Sequence, residues 1–120
     1  MKLIVFSKML QELGIAELID FAQELGIEGY DMAVRPGYPV NPDNVAEALP
    51  EAVSQFRANG LDIPMVTAHG NLLQPDAEGA GLLAAMDAAD VRRLKLGYFK
   101  FVPGQMDYWD EVDKARKALE

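Results

Sequence analysis

A repeating unit of strand, loop, helix and glycine organises this chain of 120 residues. The first helical stretch stops at Leu25-Gly26-Ile27 and the second at Asn59-Gly60-Leu61, so these two stops lie 34 residues apart. Leu94 opens a further apolar run about the same distance along the chain. An eight-unit (β/α)8 barrel of about 250 residues allots roughly 31 residues to each unit. The spacing therefore predicts four βα units, which is half of such a barrel.

Short apolar runs, typical of strands buried on both faces, alternate with stretches that have helical spacing. Pro50 lacks a backbone donor, so we expect the second helix to break after Leu49. Gly79 and Gly81 are expected to fray the start of the third helix. The predicted strands are 3–6, 29–34, 61–67 and 94–102, and the predicted helices are 16–25, 44–58, 81–91 and 108–119.

Strands that alternate with helices indicate right-handed crossovers and a parallel sheet. The sequence therefore predicts an α/β fold, a parallel (β/α)4 half of a TIM (β/α)8 barrel, as a single domain over residues 1–120. An open doubly wound sheet is the alternative. The usual mark of its nucleotide-binding form is a GxGxxG turn after the first strand, and Ser7-Lys8-Met9-Leu10-Gln11 has no such turn.

Composition excludes several classes of protein. The chain has no cysteine, which rules out disulfides and thiolate metal sites. Its net charge of −8 argues against a nucleic-acid partner, because phosphate binding needs a concentrated basic surface. The longest apolar runs are too short to cross a bilayer, and residues 1–7 lack the cleavage site of a signal peptide. We therefore expect a cytoplasmic protein with neither a membrane nor a nucleic-acid partner.

Ligands of parallel α/β folds gather at the carboxyl ends of the strands. Several cationic side chains would converge there on one rim of an otherwise acidic chain, which favours an anionic or polyhydroxylated small ligand. The substrate-binding candidates that this rule selects are Lys8, Arg35, His69, Asn71 and Lys100.

Each candidate also has an ordinary structural explanation. Loop lysines are usually solvated, and Lys100 in a strand would face either the barrel interior or the helices. His69 is the sole histidine, so a two-His metal site is excluded, and both a proton-transfer role and a structural role stay open. Asp31 lies mid-strand and, if it points into the barrel, needs a partner such as Lys8 or Lys100. The motifs HExxH, GxSxG and the P-loop are absent, so no residue is assigned as catalytic.

Three segments share a pattern with a known family: Phe6-Ser7-Lys8, residues 29–37 and residues 96–100. Together they resemble the sugar phosphate isomerase/epimerase group of the xylose isomerase-like TIM barrels, and Val34-Arg35-Pro36-Gly37 is the most distinctive piece. The resemblance spans nearly the whole chain but covers only the first four units of the family's barrel. Tyr38-Pro39 stands where close relatives often carry Gly-His, which puts a role for that loop in doubt.

The resemblance implies a divalent metal, commonly Mn, Mg or Zn, that polarises a ketose or aldose while a proton moves between adjacent carbons. The family's metal ligands and carboxylate bases lie mainly on later strands, which are not among these 120 residues. Lys8, Arg35, His69 and Lys100 would then be substrate-side residues, and no metal ligand is identified in this chain. We expect the chain to be inactive alone.

Two further hypotheses stay open. A non-catalytic half-barrel, natural or engineered, would expose strand edges at 3–6 and 96–102, and a homo-oligomer that pairs these edges would approximate a closed barrel. A zinc-dependent DNA-repair nuclease shares the fold, but the acidic charge and the missing ligands argue against it. Residues 118–120 end on an open helical pattern, which is what a truncated chain looks like.

Overall fold

The computed structural model describes residues 1–71 and 76–120, and within them parallel strands alternate with helices. The strands form one sheet in the order β1-β2-β3-β4, and all three neighbouring pairs are parallel. This topology confirms the predicted α/β fold of half-barrel type. The strands are β1 (Ile4–Phe6), β2 (Gly29–Ala33), β3 (Asp62–Thr67) and β4 (Leu94–Lys95), and the helices are α1 (Ile15–Leu25), α2 (Val45–Ala58), α3 (Ala77–Ala88) and α4 (Tyr108–Leu119).

The core lies between the sheet and its helices, and β2 is buried along its whole length. The Tyr30 hydroxyl donates a hydrogen bond of 2.7 Å to the carbonyl oxygen of Leu18 in α1. The Tyr30 ring also packs edge-to-face on Phe56 of α2, with ring centroids 5.7 Å apart. Because side chains alternate along a strand, Asp31 lies on the opposite face of β2, away from these helices.

That opposite face of the sheet, which we call the inner face, carries Phe6, Asp31, Thr67 and Lys95. Phe6 pairs in register with Asp31, and Thr67 pairs in register with Lys95. The Lys95 ammonium lies 4.8 Å from the centroid of the Phe6 ring, although β4 and β1 are at opposite edges of the sheet. Side chains from both edges therefore meet over the inner face.

Two helices differ from the sequence prediction. The expected break at Pro50 is wrong, because α2 continues through it. Pro50 removes one backbone hydrogen bond from the first half of the helix. Leu49 and Val53, which come before and after it, are both buried and keep this part of α2 packed on the core. The third helix begins earlier than predicted, at Ala77 instead of Gly81, and includes both Gly79 and Gly81. The Asp76 carboxylate accepts a hydrogen bond of 2.6 Å from the Gly79 amide and caps α3, which begins at residue 77.

The fourth strand is much shorter than predicted, since β4 ends at Lys95 instead of Val102. Beyond β4, the backbone stays paired with the segment that follows β3, through a 2.8 Å hydrogen bond from the Gly97 amide to the Gly70 carbonyl. In the described part of the chain β3 ends at Thr67, so residues 98–102 have no adjacent strand to pair with. By contrast, α1 ends as predicted, with Gly26 in the left-handed region at φ 69°.

The described helices are short, and the longest of them has 14 residues. No helix in the ranges 1–71 and 76–120 combines the length and the apolar composition that a membrane crossing requires.

Candidate functional site

The loops that follow β1 and β2 are tied together at the carboxyl end of the sheet. Ser7 is buried, and its hydroxyl accepts a 2.9 Å hydrogen bond from the Ala33 amide at the end of β2. The chain then forms a short 3-10 turn over Ser7–Leu10. The Tyr38 hydroxyl donates to the carbonyl oxygen of Lys8 at 2.8 Å, which fixes the loop after β2 to this turn. These hydrogen bonds therefore fix the loops that form the rim of the inner face at the carboxyl end of the sheet.

Arg35 stands two residues past β2 and is half-buried. Its guanidinium carbon lies 5.8 Å from the centroid of the Phe6 ring. Its Nε is buried and has no hydrogen-bond partner within the described residues. A buried donor without an acceptor costs about 1–3 kcal/mol, and more when it is charged. An acceptor brought by a ligand would remove this cost.

Lys95 supplies a second cation at the same aromatic ring. Its ammonium is 4.8 Å from the Phe6 centroid, within the distance at which a cation is attracted to an aromatic face. Arg35 and Lys95 thus both lie near the Phe6 ring, and two positive charges in this region favour the binding of an anion.

Lys95 was not among the sequence candidates. The predicted strand ran to Val102, and its candidate was Lys100, which in the structure is exposed and lies five residues beyond the end of β4. The Leu94-Lys95-Leu96 pattern was the available signal, because a single charged residue between two apolar ones points to the face opposite the core. With the strand taken as short, this alternation would have placed Lys95 on the inner face.

The inner face also carries a buried carboxylate. Asp31 is 7% exposed and accepts a 2.8 Å hydrogen bond from the Thr67 hydroxyl. The expected partners Lys8 and Lys100 were wrong, because Asp31 is hydrogen-bonded to Thr67, which lies two residues beyond its register partner Met65 on β3. Among the described residues no ion pair involves Asp31, so its remaining acceptor positions can take a hydroxyl group of a ligand.

The predicted candidates occupy different places on the molecule. Lys8 and Lys100 are exposed, as is His69, which follows β3 by two residues. Asn71 is half-buried and lines a largely apolar cavity of about 320 Å³ between residues 96–101 and α4. Across the described chain, no hydrogen bond, ion pair or ring contact joins any two of Lys8, Arg35, His69 and Lys100. Of the five candidates, Arg35 is the one in contact with the Phe6 and Lys95 cluster.

The described residues do not fit the divalent metal that the sequence resemblance implies. Within residues 1–71 and 76–120, no three His, Asp or Glu side chains come together in a group able to hold a metal ion. Asp31, the buried carboxylate of the inner face, is hydrogen-bonded to Thr67. The chemistry of this face is therefore that of two cations, an aromatic ring and one carboxylate.

The sheet and its inner face define the class of this chain as a parallel α/β fold of half-barrel type. Comparison with protein-family models, with curated proteins and with solved structures found no match. A functional conclusion therefore depends on the chemistry of the inner face and on the sequence pattern.

Proposed function

We propose that this chain is the substrate-side half of a sugar or sugar-phosphate isomerase/epimerase barrel of the xylose isomerase-like kind. In this proposal the inner face binds the anionic, polyhydroxylated substrate. The observation that carries it is the pair of cations, Arg35 and Lys95, at the ring of Phe6. The resemblance of the Val34-Arg35-Pro36-Gly37 segment to that family supports the same assignment, because it contains one of the two cations.

The proposed division of labour follows from the donor and acceptor chemistry of each group. The planar guanidinium of Arg35 binds phosphate or carboxylate through two parallel hydrogen bonds and gives its buried Nε an acceptor. Lys95 adds a compact positive charge. Asp31 accepts a hydrogen bond from a sugar hydroxyl while Thr67 holds its other oxygen. The chain as a whole carries a net charge of −8, so cations on the inner face favour binding of an anion there.

The proton transfer itself belongs to residues outside this set. An aldose–ketose interconversion needs a base near the substrate carbon and, in this family, a metal that polarises the carbonyl. The described residues offer no ligand group for that metal. In this proposal the chain binds substrate in the cytoplasm, and groups outside the described residues supply the catalysis. The chain alone is then inactive.

Calorimetric titration with fructose 6-phosphate, fructose and inorganic phosphate tests the binding step. We expect the sugar phosphate to bind more tightly than fructose, and Arg35→Gln and Lys95→Gln each to weaken it. A charge-assisted hydrogen bond is worth about 1.5–3 kcal/mol, which corresponds to a loss of roughly ten- to a hundredfold in affinity. Arg92→Gln is the matched control. It makes the same change of charge at an exposed arginine that forms ion pairs with Asp87 and Asp90 in the loop before β4.

Circular dichroism confirms that each variant is folded. Equal weakening by Arg92→Gln would contradict the proposal, since it would mean that net charge and not the inner face attracts the ligand. Absence of binding by all three compounds would favour the alternative, a non-catalytic half-barrel. Conversion of fructose 6-phosphate by the isolated chain with added Mn²⁺ would show that the catalytic groups are present after all.

A further inference from the structure

Exposed apolar side chains are concentrated in two segments of the chain. Twelve large apolar side chains are exposed among the described residues, and eleven of them fall in two segments. Residues 1–25, which we call the first flank, contain Leu3 at 61% exposed, and residues 98–119, the last flank, contain Trp109 at 70%. The exception is Leu83 on α3. Single exposed apolar residues are ordinary, whereas contiguous patches mark interaction surfaces.

The same two segments adjoin the unpaired edges of the sheet. In the described structure β1 pairs with β2 alone, and β4 pairs with β3 alone. One side of each outer strand therefore presents backbone amides and carbonyls without a strand partner. Such edges are templates for another chain.

The chain exposes more surface than a compact monomer of its mass, and the excess is large enough for a dimer interface. The accessible surface is 7631 Å², about 1,200 Å² more than the roughly 6,400 Å² typical of a compact monomer of this mass. The radius of gyration is 15.8 Å, against about 13.6 Å for a compact domain of 120 residues. A stable interface buries about 800 Å² on each partner. The excess surface is sufficient for one.

The charges of α1 and of the last turns of α4 are opposite in sign, although the last flank as a whole carries four acidic and four basic residues. The first flank includes α1, whose charged residues are Glu17, Asp20 and Glu24, all acidic. The last turns of α4 carry basic residues, among them Arg116 and Lys117. In a closed barrel the helix that precedes a strand lies beside the helix that follows it, so α4 of one chain would stand next to α1 of the next. Opposite charges then face each other.

We propose that the occupant of both flanks is a second copy of this chain. The last flank of each copy packs on the first flank of the other, with β4 beside β1, and the two copies close a barrel of eight strands. A two-fold axis relates the two equivalent junctions, so the assembly stops at a dimer. Closure places the inner-face cluster of Phe6, Arg35 and Lys95 inside the barrel. The inference stands on the flanks and is independent of the ligand proposed above.

Light scattering coupled to size-exclusion chromatography measures the mass directly. We expect the wild-type chain to have twice the 13.2 kDa of the monomer. A last-flank variant, Phe101→Ser with Trp109→Ser, and a first-flank variant, Leu3→Asp, should each shift to the monomer. Leu83→Ser is the matched control because it removes an equally exposed apolar side chain outside both flanks, and it should remain dimeric. All four substitutions are at exposed positions, and circular dichroism checks the fold.

Mixing the two flank variants distinguishes this geometry from others. One junction of a mixed dimer joins the intact last flank of the Leu3→Asp chain to the intact first flank of the other, so association should return in part. A wild-type chain that is monomeric at all concentrations tested would overturn the proposal. So would a Leu3→Asp chain that remains fully dimeric, since this would indicate contact between two α4 helices. A mass that increases beyond that of the dimer would show open-ended oligomers and would overturn the closed barrel.

Discussion

The first three βα units and the last segment of the chain are packed very differently. Every buried side chain in the described structure lies between Ser7 and Val91, and α4 has none. Yet α4 is well formed by local signals, since the Asp107 carboxylate caps its first turn and basic residues occupy its last turn. A helix of 12 residues is marginal on its own in water. Local interactions therefore stabilise α4, whereas α1, α2 and α3 are stabilised by the burial of their apolar side chains.

Truncation of one aromatic residue in each region should reveal the difference between them most strongly. Phe56 is fully buried against Tyr30, and Phe56→Ala should lower the free energy of unfolding by about 3–5 kcal/mol. Trp109 is 70% exposed, so Trp109→Ala should change it by less than about 0.5 kcal/mol when the chain is dilute. Urea denaturation followed by circular dichroism measures both. Comparable losses would mean that the last segment is part of the core.

The junction between the two regions depends on one glycine. A Cβ added at Gly97 would lie 2.5 Å from the carbonyl oxygen of His69, so Gly97→Ala must push the chain after β4 away from the chain after β3. We expect a loss of about 1–3 kcal/mol in urea denaturation. Gly81 in α3 has open space where a methyl group would lie, and Gly81→Ala should instead stabilise by about 0.5–1 kcal/mol. The same sign for both variants would contradict this account of the junction.

A smaller effect concerns the two tyrosines Tyr30 and Tyr98, one from each region. Removal of the hydrogen bond to Leu18 by Tyr30→Phe should cost about 1 kcal/mol near neutral pH. Burial raises the pKa of Tyr30 above its ordinary value of 10.0, so the folded protein keeps this proton where the unfolded chain loses it. The wild type should therefore lose stability as pH rises above 10, and the Tyr30→Phe variant should lose less.

Tyr98→Phe is the control for that comparison, because this side chain is 84% exposed. This variant keeps the Tyr30 hydroxyl, so it should lose stability in alkaline solution as the wild type does. If Tyr30→Phe and the wild type lose stability in parallel in alkaline solution, the buried phenol does not contribute to the pH dependence.

The fold was predictable from the sequence wherever the signal is local. The glycine stop at Gly26, the alternation of strands with helices and the bounds of α4 depend on residues close together in the chain. The length of β4 was not predictable in this way, because a strand ends where its neighbour ends and not where its own apolar pattern stops. Pro50 was misjudged because burial on both sides outweighs one missing hydrogen bond.

The candidate site was predictable only in part. The rule of the carboxyl strand ends selected Arg35, which lies beside Phe6 of the inner face, whereas the sequence left open whether Asp31 points to that face. The partner of Asp31 depends on the register between β2 and β3, which shifts between Gly29 and Asp31. The contact between Phe6 and Lys95 joins opposite edges of the sheet. Neither relation is encoded in the spacing of residues along one strand.

Amide hydrogen exchange as a function of protein concentration tests the contrast between the two regions most directly. We predict that the amides of α2 and α3 are protected equally at all concentrations, because their burial is within one chain. The amides of α4 should exchange rapidly in dilute protein and become protected as concentration rises and a second copy covers the last flank. Protection of α4 that equals that of α2 and does not change on dilution would contradict the account.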